Sequence, residues 1–165
     1  MKRWIMAGLV VAMGLQVVAG ARSRGGQAQQ QEVKISKMVE RLKDLEKVKA
    51  EARAKKKPVA IVISEEGAKR PNLEQETQLA LQRAKSLGVL IYVDLKEIKD
   101  LPQNIAPTAV EVQKELPAMI FSDPDSDKVL VAVKYGQDRV EWDRNLREAK
   151  KKLLLAETAP KDKTE

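Results

Sequence analysis

Apolar residues along this chain alternate between two spacings, and the switches between them divide it into elements. From about Glu32, Ile35, Met38, Leu42, Leu45 and Val48 recur at three- and four-residue steps, with Lys and Glu between them. That spacing predicts one amphipathic helix with a narrow apolar face. Lys55, Lys56 and Lys57 close its last turn, where cations suit the helix dipole, and Pro58 stops it. Val59–Ile63 is a continuous apolar run of the kind that forms a strand buried on both faces. A charged loop, Ser64–Asn72, follows, with Asn72 placed to cap a second helix. Leu73, Leu79, Leu81, Ala84 and Leu87 give that helix an apolar side, and Gly88 ends it. Val89–Val93, closed by Asp94, is a second buried strand. Strand, helix and strand in so few residues predict a right-handed βαβ unit with parallel strands.

Leu95–Thr108 is polar, carries Pro102 and Pro107, and reads as a loop. A short helix is predicted from Pro107 or Thr108 to Glu115, with Val110, Val112 and Leu116 inward. Ala118–Ser122 and Val129–Val133 flank the turn residues Asp123–Asp127 and read as an antiparallel hairpin. The final helix is predicted over Arg139–Leu155, with Val140, Leu146, Ala149 and Leu153 buried. The stretch 22–32 is rich in Gly and Gln, and 156–165 is charged, so both are expected to be disordered around a domain at 33–155. The four strands are expected in one mixed sheet of an α/β fold, the first three mutually parallel and the fourth antiparallel to its neighbour.

Composition narrows the chemistry. The 165 residues include no Cys and no His. That excludes a thiolate nucleophile, a disulfide, and a Ser–His–Asp triad built on Ser64. Only 3% of residues are aromatic, so the core must be aliphatic. The net charge of +7 is spread along the chain, and few aromatics are available for base stacking, so no nucleic-acid partner is expected.

The N-terminus has the pattern of an export signal. Lys2 and Arg3 precede an apolar stretch from Trp4 to Gly20, and Ala19-Gly20-Ala21 gives a small-x-small cleavage site. Residues 1–21 are therefore expected to be removed after Ala21, leaving 144 residues and lowering the formal charge from +7 to +5. The alternative is an uncleaved membrane anchor. A lipid-anchored form is excluded, because its attachment needs a Cys. The expected location is periplasmic or secreted.

The order helix, strand, helix, strand, helix, two strands, helix, together with two local motifs, resembles the thioredoxin-like fold. Lys56-Lys57-Pro58-Val59-Ala60-Ile61-Val62 is similar to the entry into that family's central strand. Leu116-Pro117-Ala118-Met119-Ile120-Phe121 is similar to the segment that carries its cis-proline, and Gly136 to a glycine before its last helix. The resemblance covers roughly 33–155 and implies a three-layer α/β/α sandwich with a four-stranded mixed sheet. It also implies a groove for extended substrates between the 64–72 loop and a cis Pro117. One departure is decisive. The loop that carries Cys-x-x-Cys in redox-active members reads Ser64-Glu65-Glu66-Gly67-Ala68-Lys69-Arg70-Pro71 here. Thiol–disulfide exchange needs a thiolate, so that activity is excluded.

Within this frame Glu65 and Glu66 are candidates for acid–base work, and Lys69 and Arg70 for binding an anion near a helix N-terminus. Asp123, Asp125 and Asp127 alternate as in a Ca²⁺ loop, but Lys128 and Lys134 stand where that loop needs its Gly and its bidentate Glu, so no metal is expected. The sequence thus leads to a non-catalytic binding or scaffolding module of the cell envelope, with no cofactor and with a protein or peptide partner. Its groove would be formed by Glu65, Glu66, Lys69, Arg70, Leu116, Pro117 and Ala118. The alternatives are an enzyme that uses loop carboxylates or a bound cofactor, and an accessory protein that assembles through its N-terminal helix.

Overall fold

The computed structural model describes residues 31–135 and 139–158. Residues 1–21, expected to be a leader, most of the 22–32 stretch, Gly136 and the residues beyond Thr158 lie outside the described residues. Four strands, β1 (Val59–Ser64), β2 (Val89–Asp94), β3 (Ala118–Ser122) and β4 (Val129–Lys134), form one mixed sheet in the order β2-β1-β3-β4. Four helices accompany them: α1 (Leu45–Lys55), α2 (Leu73–Leu87), α3 (Ala106–Val112) and α4 (Arg139–Thr158). The last of these runs three residues past the predicted end.

Strand alternation sends side chains to opposite faces, and both faces of this sheet are covered. Val59, Ile61, Ile63, Ala118 and Ile120 pack with Val48 and Ala52 of α1 and Ala109 and Val112 of α3. Ala60, Val62, Met119 and Phe121 pack with Ala80, Leu81 and Ala84 of α2 and Trp142, Leu146 and Ala149 of α4. Every residue of β1 is buried, as its uninterrupted apolar run requires. Gly88 is needed for close packing between α2 and β1. A Cβ at that position would lie 2.6 Å from the Pro58 carbonyl oxygen and 2.9 Å from Ala60 Cβ.

Three expectations are overturned. β1 and β2 are parallel, Val59 opposite Val89 and Ser64 opposite Asp94, but β3 runs antiparallel to β1, with Ile63 opposite Ala118 and Val59 opposite Ser122. β4 is antiparallel to β3. The cause lies in the segment read as a loop. Leu95–Asp100 is a 3-10 helix, begun by an Asp94 side chain that accepts the Lys96 N–H. It and the residues after it carry the chain back along the sheet to the hairpin end, where Asn104 Nδ2 donates to the Ser126 carbonyl at 3.0 Å. α3 then returns, so β3 starts beside the C-terminal end of β1.

The helix predicted from Glu32 is the second correction. The chain is extended around Val33–Ile35, turns near Ser36–Val39, and becomes regularly helical only at Leu45. Val33 and Ile35 are buried on the α2/α4 side of the sheet, whereas Val48 is buried on the α1/α3 side, and Met38 is almost fully exposed. The five residues therefore do not share one helix face. The third correction concerns helix phase. Val110 and Val140 point to solvent; Ala109, Val112 and Trp142 take the buried positions.

At the hairpin end α1 grips the β3–β4 turn. The Lys49 ammonium is nearly buried and lies 2.8 Å from the Asp127 carboxylate and 3.1 Å from Glu46. Burial opposes its charge, but the bonds to Asp127 and Glu46 prevail and hold its pKa above the usual lysine value. Arg53 donates to Asp125 and to the Pro124 carbonyl. Asp123 accepts from the Asp125 and Ser126 N–H groups within the turn. The alternating acids thus cap and anchor a turn, and among the described residues no cluster of three or more acidic side chains is arranged to hold a metal ion.

Candidate functional site

The C-terminal ends of β1 and β2 and the start of β3 meet at the other end of the sheet. In α/β sheets this is where loops are free to form sites. The loop after β1 is anchored from below by the buried Ser64 hydroxyl, 2.8 Å from Thr77 Oγ1 of α2. It turns through Gly67, whose φ of +80° lies in the left-handed region. Because Ile63 pairs with Ala118, the 65–70 loop and the Leu116-Pro117-Ala118 segment lie at the same end of the sheet. The Leu116–Pro117 peptide bond is cis. Leu116 is half-buried, while Pro117 and Ala118 are buried, so this segment shapes the site from beneath more than it lines an open surface.

The loop carboxylates are paired. Arg41 makes a two-pronged contact with Glu66, with nitrogens 2.8 and 3.1 Å from its two oxygens. The same guanidinium lies over the Tyr92 ring, 4.9 Å from its centre. Glu66 also accepts the Ile35 backbone N–H, and its own N–H donates to Asp94 at 2.9 Å. The hydrogen bond from Arg41 holds the Glu66 carboxyl below the usual glutamate range despite partial burial. Burial, with Asp94 and Glu66 nearby, pushes the Tyr92 phenol well above its usual value. Among the described residues the buried Tyr92 hydroxyl meets no hydrogen-bond partner. Arg70 reaches Glu65 at 2.7 Å, and Lys69 is exposed at the rim.

An extended piece of the chain itself is seated on this loop. The Val33 N–H donates to the Ala68 carbonyl, and the Gly67 N–H donates to the Val33 carbonyl, both at 3.0 Å. The Lys34 N–H donates to Glu74 at 2.8 Å, and Gln78 donates to the Lys34 carbonyl. Further along, Arg41 bridges to Tyr92 at the outer edge of β2, where the Tyr92 N–H donates to the Glu40 carbonyl.

The structure therefore brings all seven sequence-derived residues to one end of the sheet, in two different settings. Glu65, Glu66, Lys69 and Arg70 form a charged rim, and Leu116, Pro117 and Ala118 lie at the base. Sequence reasoning missed Arg41, Tyr92 and the 33–35 segment. For Val33 and Ile35 a signal existed, since they alternate with the polar Lys34 and Ser36. Arg41 carried none, because its partner lies 25 positions away.

Glu66 lends itself to a pH test. Its folded-state pKa is lowered, so its contribution to stability is present above the ordinary glutamate value and is lost as pH falls through the folded value. Glu76, raised chiefly by burial, acts in the opposite sense. Its contribution is present at low pH and is lost as pH rises through its folded value. Glu66→Gln is expected to cost about 1 kcal/mol at neutral pH, a figure discounted for the half-exposed pair. It is also expected to flatten the acid-side loss of stability as pH falls below the ordinary glutamate value. Urea midpoints of the two proteins across that acid range check it. An undiminished acid-side slope in the variant would show that the Arg41–Glu66 pair does not set it.

Compared with protein-family models, curated proteins and solved structures, the chain matches none. Among the described residues no helix is long and apolar enough to cross a membrane.

Proposed function

We propose that this chain is an exported, non-catalytic binding module of thioredoxin-like layout that recognises an extended segment of a cell-envelope protein at the C-terminal end of its sheet. The strand order β2-β1-β3-β4 and the cis-proline before β3 support the layout. The observation that carries the function is the seating of Val33–Ile35 on the 65–74 region through backbone hydrogen bonds. Main-chain pairing of this kind is how a loop or sheet edge recognises extended peptides, and here the chain's own segment illustrates it. The pairing of Glu66 with Arg41 and of Glu65 with Arg70 favours recognition over acid–base chemistry, since both carboxylates are already engaged by guanidinium groups. The exposed Lys69 and Arg70 give the rim its partner-facing charge.

Site-specific photocrosslinking in envelope preparations tests this reading. A photoreactive residue at Lys69 is expected to yield a discrete product. One at Lys57, exposed at the opposite end of β1, is expected to yield none. Equal products from both positions, or no product from Lys69, would remove the support for a site at this end.

A further inference from the structure

Away from that site, α2 and α4 lie side by side over the same face of the sheet and leave a cleft of about 430 Å³ between them. Its floor is apolar, built from the buried Leu146 and the half-buried Leu87. Its rim carries Arg83 and Ser86 from α2 and Arg147 and Lys150 from α4, all exposed, with Asp143 the one acid. Among the described residues Arg83, Arg147 and Lys150 form no ion pair. Arg147 donates only a long hydrogen bond, 3.3 Å, to the Asp143 backbone carbonyl within its own helix.

Three cations from two helices border one cleft, and together they raise its positive potential. Set against Asp143, they leave an excess of two positive charges. A phosphate group carries roughly −1.5 to −2 near neutral pH and presents oxygens that suit the forked geometry of arginine. A single carboxylate would neutralise half of the excess. We infer that the α2–α4 cleft binds a phosphate group, held by Arg83, Arg147 and Lys150. An organic portion of the ligand, where present, would rest on Leu87 and Leu146. The phosphate can belong to a soluble ester or to an anionic lipid headgroup. The site is separate from the 65–70 loop and does not depend on the reading given for that loop.

Two titrations separate the sources. Amide shifts are followed as inorganic phosphate is added at constant ionic strength, and co-sedimentation is measured with phosphatidylglycerol-containing vesicles against phosphatidylcholine vesicles. Arg83→Gln/Arg147→Gln/Lys150→Gln tests the site, and Lys56→Gln/Lys57→Gln, at exposed positions near the start of β1, controls for bulk charge. Expected are saturable shifts in α2 and α4 with phosphate, or selective sedimentation with the anionic vesicles. Either should weaken by at least about tenfold in the cleft variant and remain near wild type in the control. Phosphate binding assigns a soluble ligand, and vesicle binding alone assigns a headgroup. The inference is overturned if neither probe binds, if the cleft variant binds as well as wild type, or if the control loses as much as the cleft variant.

Discussion

Trp142→Ala is expected to destabilise the domain by about 3–5 kcal/mol, a large share of what a domain of this size has to lose. Trp142 is wholly buried in the cluster between the sheet, α2 and α4, where the fixed neighbours can fill only part of the space the indole leaves. It joins α4 to the α2 side of the core and lies against Tyr135, with ring centres 5.3 Å apart and planes tilted by 43°. Tyr135 in turn hydrogen-bonds Glu76 of α2. Removing the indole opens a cavity at the point where two helices and β4 meet. Urea unfolding followed by far-ultraviolet circular dichroism measures the loss. A cost under about 1 kcal/mol would mean that α4 is not held through this residue.

The second large effect is expected at the extended segment. Val33→Asp with Ile35→Asp places two charges where the side chains are 1% and 8% exposed. The segment should leave the loop, forfeiting about 3–5 kcal/mol from two buried aliphatic side chains. The loss should be local. The Gly67 amide donates to Val33, so its hydrogen exchange should accelerate strongly, while amides within β1 keep their protection. If Gly67 exchange is unchanged, the segment does not hold the loop. If β1 loses protection as well, the segment is an integral part of the core.

The contrast between these regions shows what local sequence conveys. The runs at 59–63 and 89–93 were legible as strands because both of their faces are covered, so no polar residue interrupts them. The Leu116-Pro117 motif pointed to a shaped segment before β3, and the loop residues Glu65–Arg70 fall at one sheet end because β1 ends there. Strand direction was not legible. It depends on whether Leu95–Asn104 carries the chain back along the sheet, and a polar segment with prolines does not show its path. The first helix was misread because Ile35, Met38 and Leu42 fit a helical step by coincidence, while Val33 and Ile35 fit an extended one. Their burial against α2 and α4 decides between the two. Arg41 illustrates a wider limit: its side-chain contacts with Glu66 and Tyr92 follow from tertiary placement.

We propose that the charged rim at the C-terminal end of β1 recognises a partner and is not needed for folding. The most direct test is the affinity of the partner captured at position 69 for wild type and for Lys69→Glu/Arg70→Glu, with thermal unfolding measured in parallel. Both side chains are exposed and only the surface Arg70–Glu65 pair is lost, so stability should change by no more than about 1 kcal/mol. The dissociation constant should rise by at least about tenfold, because two rim cations become anions. An unchanged affinity in a variant that remains folded would contradict the claim.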